Sequence, residues 1–173
     1  MHNTLLDKLY NIVTTDEISN LGIKASSYIL NMLFTKIHPD NGNVFVFDSF
    51  QTCKDYVHHM FSHMNGFTTN GNDLKYTVSI DNDDERYLNS LDEIDASSLD
   101  NICLLTVIYK CRDNNIITLF PSIKIFDNEE SFYSYIINFI KEKIIDKNVN
   151  LRKILKRLLQ DSDIKSFIKK YDI

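Results

Sequence analysis

The chain of 173 residues contains two prolines, four glycines and no tryptophan. So few chain-breaking residues exclude collagen-like, polyproline and glycine-rich linker architectures. No apolar run approaches the roughly 18 to 20 residues of a membrane-spanning helix. Met1-His2-Asn3-Thr4 also lacks the basic segment and apolar stretch of a secretory signal. A cytoplasmic chain without signal peptide or transmembrane helix is therefore expected. The three cysteines (Cys53, Cys103, Cys111) are odd in number and form no CxxC pair. That argues against a disulfide framework and suits buried, reduced thiols. No Gly-rich phosphate loop, nucleophile elbow or HExxH occurs, so neither a familiar enzyme class nor a cofactor is expected. Alanine is nearly missing too, at 2 residues against 22 Ile and 18 Asn. This bias points to an AT-rich genome, viral, protozoan or bacterial.

What is present is an ordinary globular composition, 43% hydrophobic and 25% charged, with enough apolar residues to build a core. The formal charge of −5 conceals an asymmetry: residues 1 to 140 carry −10 and residues 141 to 173 carry +5. Such polarity bears on partners rather than on fold.

Leu5, Leu6, Leu9, Tyr10 and Val13 have helical spacing, and Thr14-Thr15-Asp16-Glu17 supplies a break and a new helix start. A second helix is expected from Leu21 to Ile37, with Leu30, Leu33, Phe34 and Ile37 on one stripe. It should stop before Pro39, because a residue preceding proline is pushed out of the helical region. Asp40-Asn41-Gly42 is turn chemistry. A third stripe runs through Phe50, Cys53, Val57, Met60, Phe61 and Met64, with Asp48 or Ser49 as cap and Asn65-Gly66 as stop. Two stripes joined by a short loop imply an antiparallel helical pair. The intervening Val44-Phe45-Val46-Phe47 could instead be a strand.

The polar stretch Thr68 to Asp73 is the best candidate for a boundary, dividing the chain into residues 1–67 and 74–173. Beyond it, strands are expected at Tyr76 to Ile80, Ile102 to Tyr109 and Ile116 to Phe126, the last two joined by a turn at Arg112 to Asn115. From Asn128 onward the periodicity predicts about three helices.

His38-Pro39-Asp40 stands between the second and third helical stripes. With Leu9-Tyr10-Asn11-Ile12 in the first helix and Phe50, Cys53, Tyr56, Val57 and Met60 in the third, residues 5 to 66 resemble the J-domain of the DnaJ (Hsp40) co-chaperone family. The resemblance implies a three-helix domain in which the tripeptide joins an antiparallel hairpin, engages an Hsp70 and stimulates its ATPase. Lys24 and Lys36 are what remains of that family's basic second helix, and Asn41 replaces the basic residue that usually follows the tripeptide. A proline that fixes the turn, beside an imidazole and a carboxylate, can make directional contacts with a partner.

Three other constellations stand out. Asp55, His59 and His63 share a helix face at metal-ligand spacing, but that face points away from the apolar stripe and reads as solvated surface; no metal is expected. Asp81-x-Asp83-x-Glu85 with Asp92 distantly resembles a calcium loop, yet Arg86 occupies the place of the turn glycine, so a solvated acidic loop is expected. Arg152, Lys153, Lys156, Arg157, Lys165, Lys169 and Lys170 flank apolar stripes near the C-terminus. They could bind an anionic lipid surface or nucleic acid.

The expected fold is α+β: an N-terminal three-helix J-domain-like hairpin, then a small antiparallel sheet with C-terminal helices. The expected function is a non-enzymatic co-chaperone recruiting an Hsp70, its C-terminal part binding a client or location. The alternative is a viral-type adaptor that binds anionic lipid, nucleic acid or a host protein through its basic C-terminal helices.

Overall fold

Thr14 and Thr15 end the first helix chemically. The Thr14 hydroxyl donates to the carbonyl of Tyr10 at 2.7 Å, and that of Thr15 to the carbonyl of Asn11 at 2.8 Å. The Thr15 oxygen in turn accepts from the Glu17 N–H, starting a 3-10 stretch over Asp16–Leu21. The computed structural model describes residues 4–37, 41–62, 67–68, 76–80, 85–112 and 116–170. Within them α1 spans Thr4–Val13 and α2 spans Gly22–Ile37. Gly22, at φ 84°, makes the bend between the 3-10 stretch and α2 in a conformation that favours glycine.

The architecture is mixed α+β, and the chain divides into two compact units. One joins the residues up to Ile37 to those from Phe132 onward; the other comprises His38–Ser131. In the helical unit α1 buries Leu6, Leu9, Ile12 and Val13, and α2 buries Ala25, Ser26, Ile29, Leu30 and Leu33. The buried stripe of α2 is thus rotated from the expected one: Phe34 and Ile37 are only half-buried. After α4 (Glu129–Ile140) come α5 (Leu151–Leu158) and α6 (Ser162–Lys170). α5 packs against both α1 and α2.

The other unit holds a six-stranded sheet with α3 (Phe50–Ser62) packed against it. Its strands are β1 (Asn41–Phe47), β2 (Phe67–Thr68), β3 (Tyr76–Ile80), β4 (Arg86–Leu88), β5 (Cys103–Arg112) and β6 (Ile116–Ile125). The order is β1-β5-β6-β3-β4, with β2 also pairing to β6. Ser49 caps α3 by accepting from the Thr52 N–H at 3.2 Å. Phe50, Cys53 and Val57, fully buried at helical spacing, join Tyr76, Val78, Cys103, Leu105, Val107, Ile123 and Ile125 in one apolar cluster. Alternation along each strand puts those sheet residues on the face toward α3. Pro121 pairs with Val107 of β5, between the part of β6 at Ile117-Thr118 that pairs with β2 and the part from Ser122 onward that pairs with β3.

Three expectations are corrected. The helical pair joined by a turn is not formed: Val44–Phe47 belong to β1 and pair antiparallel with Cys103–Thr106 of β5. Four alternating β-branched and aromatic residues suit a half-buried pleated surface better than a turn. The described helices α2 and α3 accordingly fall in different units. The division at residues 68 to 73 does not separate the units either, because strands from both sides of it share one sheet. Last, the sheet is mixed, since β2 and β3 run parallel to β6. Among the described residues no helix is long and apolar enough to cross a membrane.

Candidate anion-binding surface

The basic segment begins at the end of α4, where helical turns widen. Over Lys141–Ile145 the bonds become i to i+5, with the Asp146 N–H donating to the carbonyl of Lys141 at 2.8 Å. The helix then closes in a left-handed residue, Asn148 at φ 58°. Its N–H donates to Ile145 at 3.1 Å, and the Val149 N–H reaches back to Ile144 at 2.9 Å. These two bonds satisfy the orphan carbonyls of a helix end, and asparagine is the non-glycine residue that best tolerates the conformation. Asn148→Gly should leave stability nearly unchanged, whereas Asn148→Val should cost about 1 to 2 kcal/mol in chemical denaturation. Equal midpoints for the two variants would contradict this assignment.

Two residues later the Asn150 side chain accepts from the Lys153 N–H at 3.1 Å and starts α5. The eight residues of α5 divide by helical spacing: Leu151, Ile154, Leu155 and Leu158 are buried, while Arg152, Lys153, Lys156 and Arg157 are exposed. Arg152 is already occupied inside the unit. It pairs with Asp7 at 2.6 Å, and its guanidinium lies 4.3 Å from the ring centroid of Tyr10. This clamp between α5 and α1 makes Arg152 a structural cation.

Lys153 and Arg157, one turn apart, instead face Lys36 in the last turn of α2. With Val149, Asn150 and Ile154 they line an open cavity of about 200 Å³. Among the described residues none of the three cations has a carboxylate partner. Three cationic residues line one concavity, together with the buried Ile154. Such a site attracts an anion, and the N-terminal end of α5 adds its partial positive charge.

The remaining candidates lie elsewhere. Lys24 is exposed on α2, about 18 Å along the helix from Lys36 at 1.5 Å per residue, and does not line the cavity. Lys156, Lys165, Lys169 and Lys170 are exposed and do not line it either. His38, Pro39 and Asp40 lie outside the described residues, as do His63, Asp81, Asp83 and Asp84. Asp55 accepts from Gln51 at 2.9 Å, and no group of three metal-ligating side chains occurs among the described residues. Asp92 forms an ion pair with Lys54 of α3, which holds its carboxyl below the ordinary value, so this part of the acidic segment is tied to the sheet unit. Cys53 and Cys103 are buried as free thiols; burial, then the adjacent Cys53, pushes the Cys103 thiol upward and keeps it protonated.

α6 is anchored by Asp161. Its carboxylate accepts the Tyr28 hydroxyl at 2.7 Å and the N–H groups of Asp163 and Ile164 at 2.9 and 3.2 Å. The Tyr28 bond, then the Ile164 N–H, lowers the Asp161 carboxyl below its ordinary value. A folded-state pKa below the unfolded one gives stability that is fully present above the unfolded value and lost as pH falls through the folded one. Asp161→Asn should therefore flatten part of the fall in thermal midpoint below about pH 4. An unchanged acid slope would refute this linkage.

The charge bias of the C-terminal segment points to Lys153 and Arg157, whereas Lys36 belongs in the sequence to the J-domain resemblance. Asn148 and Asn150 are functional positions that charge alone does not mark; the signal for them is Lys147-Asn148-Val149-Asn150, which carries the residue types of a left-handed helix end and of a cap. In comparisons with protein-family models, curated proteins and solved structures nothing matched the chain, so its functional reading rests on the residues described above.

Proposed function

We propose that the protein is a non-enzymatic adaptor that attaches to an anionic membrane surface through the cations of its helical unit. The observation that carries this reading is the convergence of Lys36 with Lys153 and Arg157 on one open concavity. Ile145 adds to it. This large apolar side chain is 41% exposed in a mixed-charge stretch that holds the exposed Lys141, Lys143 and Lys147 together with Glu142 and Asp146, and its carbonyl accepts the Asn148 N–H that closes the helix. An exposed apolar residue in a segment with a net positive charge suits a headgroup interface, where each nearby cation contributes about 1 kcal/mol. A nucleic-acid groove calls instead for a longer basic track with aromatic platforms.

Vesicle flotation tests the reading, with phosphatidylcholine alone and with phosphatidylserine added. The wild type should float only with the anionic vesicles, and Lys153→Gln/Arg157→Gln should bind roughly 10- to 30-fold more weakly. Equal recovery of wild type and variant would overturn the proposal, as would binding to a single-stranded oligonucleotide in place of vesicles.

A second reading is the co-chaperone one, in which His38-Pro39-Asp40, with Lys24 and Lys36, recruits an Hsp70 and a client or location is bound by the rest of the chain. The tripeptide favours it. The strand β1 counts against it, standing in the chain where a J-domain turn would lead directly into the next helix. Steady-state ATPase measurements with an Hsp70 decide: stimulation by the wild type but not by His38→Gln supports it, and equal or absent stimulation ends it.

A further inference from the structure

We propose that the cavity between α2 and α5 is a phosphomonoester site, taking one terminal phosphate on a small headgroup-sized molecule. The inference rests on the anion-binding reading of this face and adds a specificity to it. A general attraction to anionic surfaces requires only spread positive charge. Here the cationic residues come from two helices far apart in sequence and line one concavity.

The cavity's size and chemistry narrow the ligand. About 200 Å³ is smaller than the roughly 300 to 1,000 Å³ of sites that enclose drug-sized ligands, so it suits one charged group rather than a nucleotide. Arg157 supplies a planar fork that matches two phosphate oxygens, while Lys36 and Lys153 act as point charges. The Asn150 amide completes the donor set. Its oxygen is committed to the Lys153 N–H, which leaves the NH₂ group as a donor at the rim. Three cations exceed the charge of a phosphodiester, about −1, and come closer to balancing a terminal phosphate, about −1.5 to −2 near neutral pH. Ile154 and Val149 form the apolar wall against which the carbon next to the phosphate would rest.

Such a phosphate could be presented by a lipid or by a free metabolite-sized molecule, and the test separates the two. Full-length protein is mixed with vesicles containing phosphatidic acid, whose phosphate is terminal, or phosphatidylglycerol, whose phosphate is a diester. Titration with glycerol 3-phosphate is followed separately by the chemical shifts of the protein. Preference for phosphatidic acid by about tenfold or more, strengthening as pH rises through about 6 with the second ionisation of the phosphate, is the expected result. Lys36→Gln and Arg157→Lys should each abolish the preference; the second keeps the charge and removes only the fork. Lys156→Gln, on the same helix but outside the cavity, should weaken both vesicle types alike and keep the preference.

Saturable binding of glycerol 3-phosphate without binding to either vesicle would uphold the site with a free ligand and overturn the membrane reading. Equal affinity for both anionic vesicles, insensitive to Arg157→Lys and with no glycerol 3-phosphate binding, would overturn the phosphomonoester site and leave the membrane reading standing.

Discussion

Phe50→Ala is expected to destabilise the sheet unit by about 3 to 5 kcal/mol, the usual cost of removing a fully buried aromatic side chain. Phe50 opens α3 and belongs to the apolar cluster that includes Leu105 of β5 and Ile123 of β6. Its loss removes transfer energy and leaves a cavity that close-packed neighbours fill only in part. Urea denaturation followed by tyrosine fluorescence measures the effect. A double-mutant cycle with Leu105→Ala should show coupling on the order of 0.5 to 3 kcal/mol, as expected for residues sharing one cavity. This cycle also distinguishes two architectures. Coupling to Leu30 or Leu33 of α2 in place of Leu105 would support a helical hairpin and contradict the packing of α3 on the sheet.

Leu155→Ala is expected to destabilise the helical unit by about 2 to 5 kcal/mol and to weaken anion binding with it. Leu155 is fully buried on the side of α5 opposite Lys153 and Arg157. A helix of eight residues has too few internal bonds to persist in water without its packed face. Releasing that face separates Lys153 and Arg157 from Lys36. By contrast, Lys153→Gln should reduce binding while shifting stability by no more than about 0.5 kcal/mol, because an exposed cation without a partner among the described residues contributes little to folding. Parallel measurement of denaturation and vesicle affinity checks the contrast. If Leu155→Ala lowers stability and leaves affinity intact, α5 does not position the site.

Most local structure was legible in the sequence. The strand Tyr76–Ile80 was placed to the residue, and β5 and β6 within three residues at each end. The helices α1, α2 and α3 follow from apolar periodicity, and the Ser49 cap expected for α3 is formed. The error at Val44–Phe47 has a physical cause. Four residues are too few for periodicity alone to assign, and the likeness of the flanking helices to a J-domain favoured a turn. Only pairing with β5, some sixty residues later, satisfies the backbone of this segment as a strand.

The candidate site divides in the same way. Clustered basic residues alternating with Leu151, Ile154, Leu155 and Leu158 already dictate a helix with one apolar and one cationic face, because side chains three and four apart share a side. Sequence also settles the charge imbalance and the want of disulfide or enzyme signatures. Nothing local says that Arg152 is held by Asp7 and Tyr10 while Lys153 and Arg157 are left facing Lys36. That distinction arises when the chain returns after the sheet and packs α5 on α1 and α2, bringing together residues more than a hundred positions apart. Helical faces are local properties governed by periodicity. Which cations find a carboxylate, and which converge on a cavity, is decided by long-range packing.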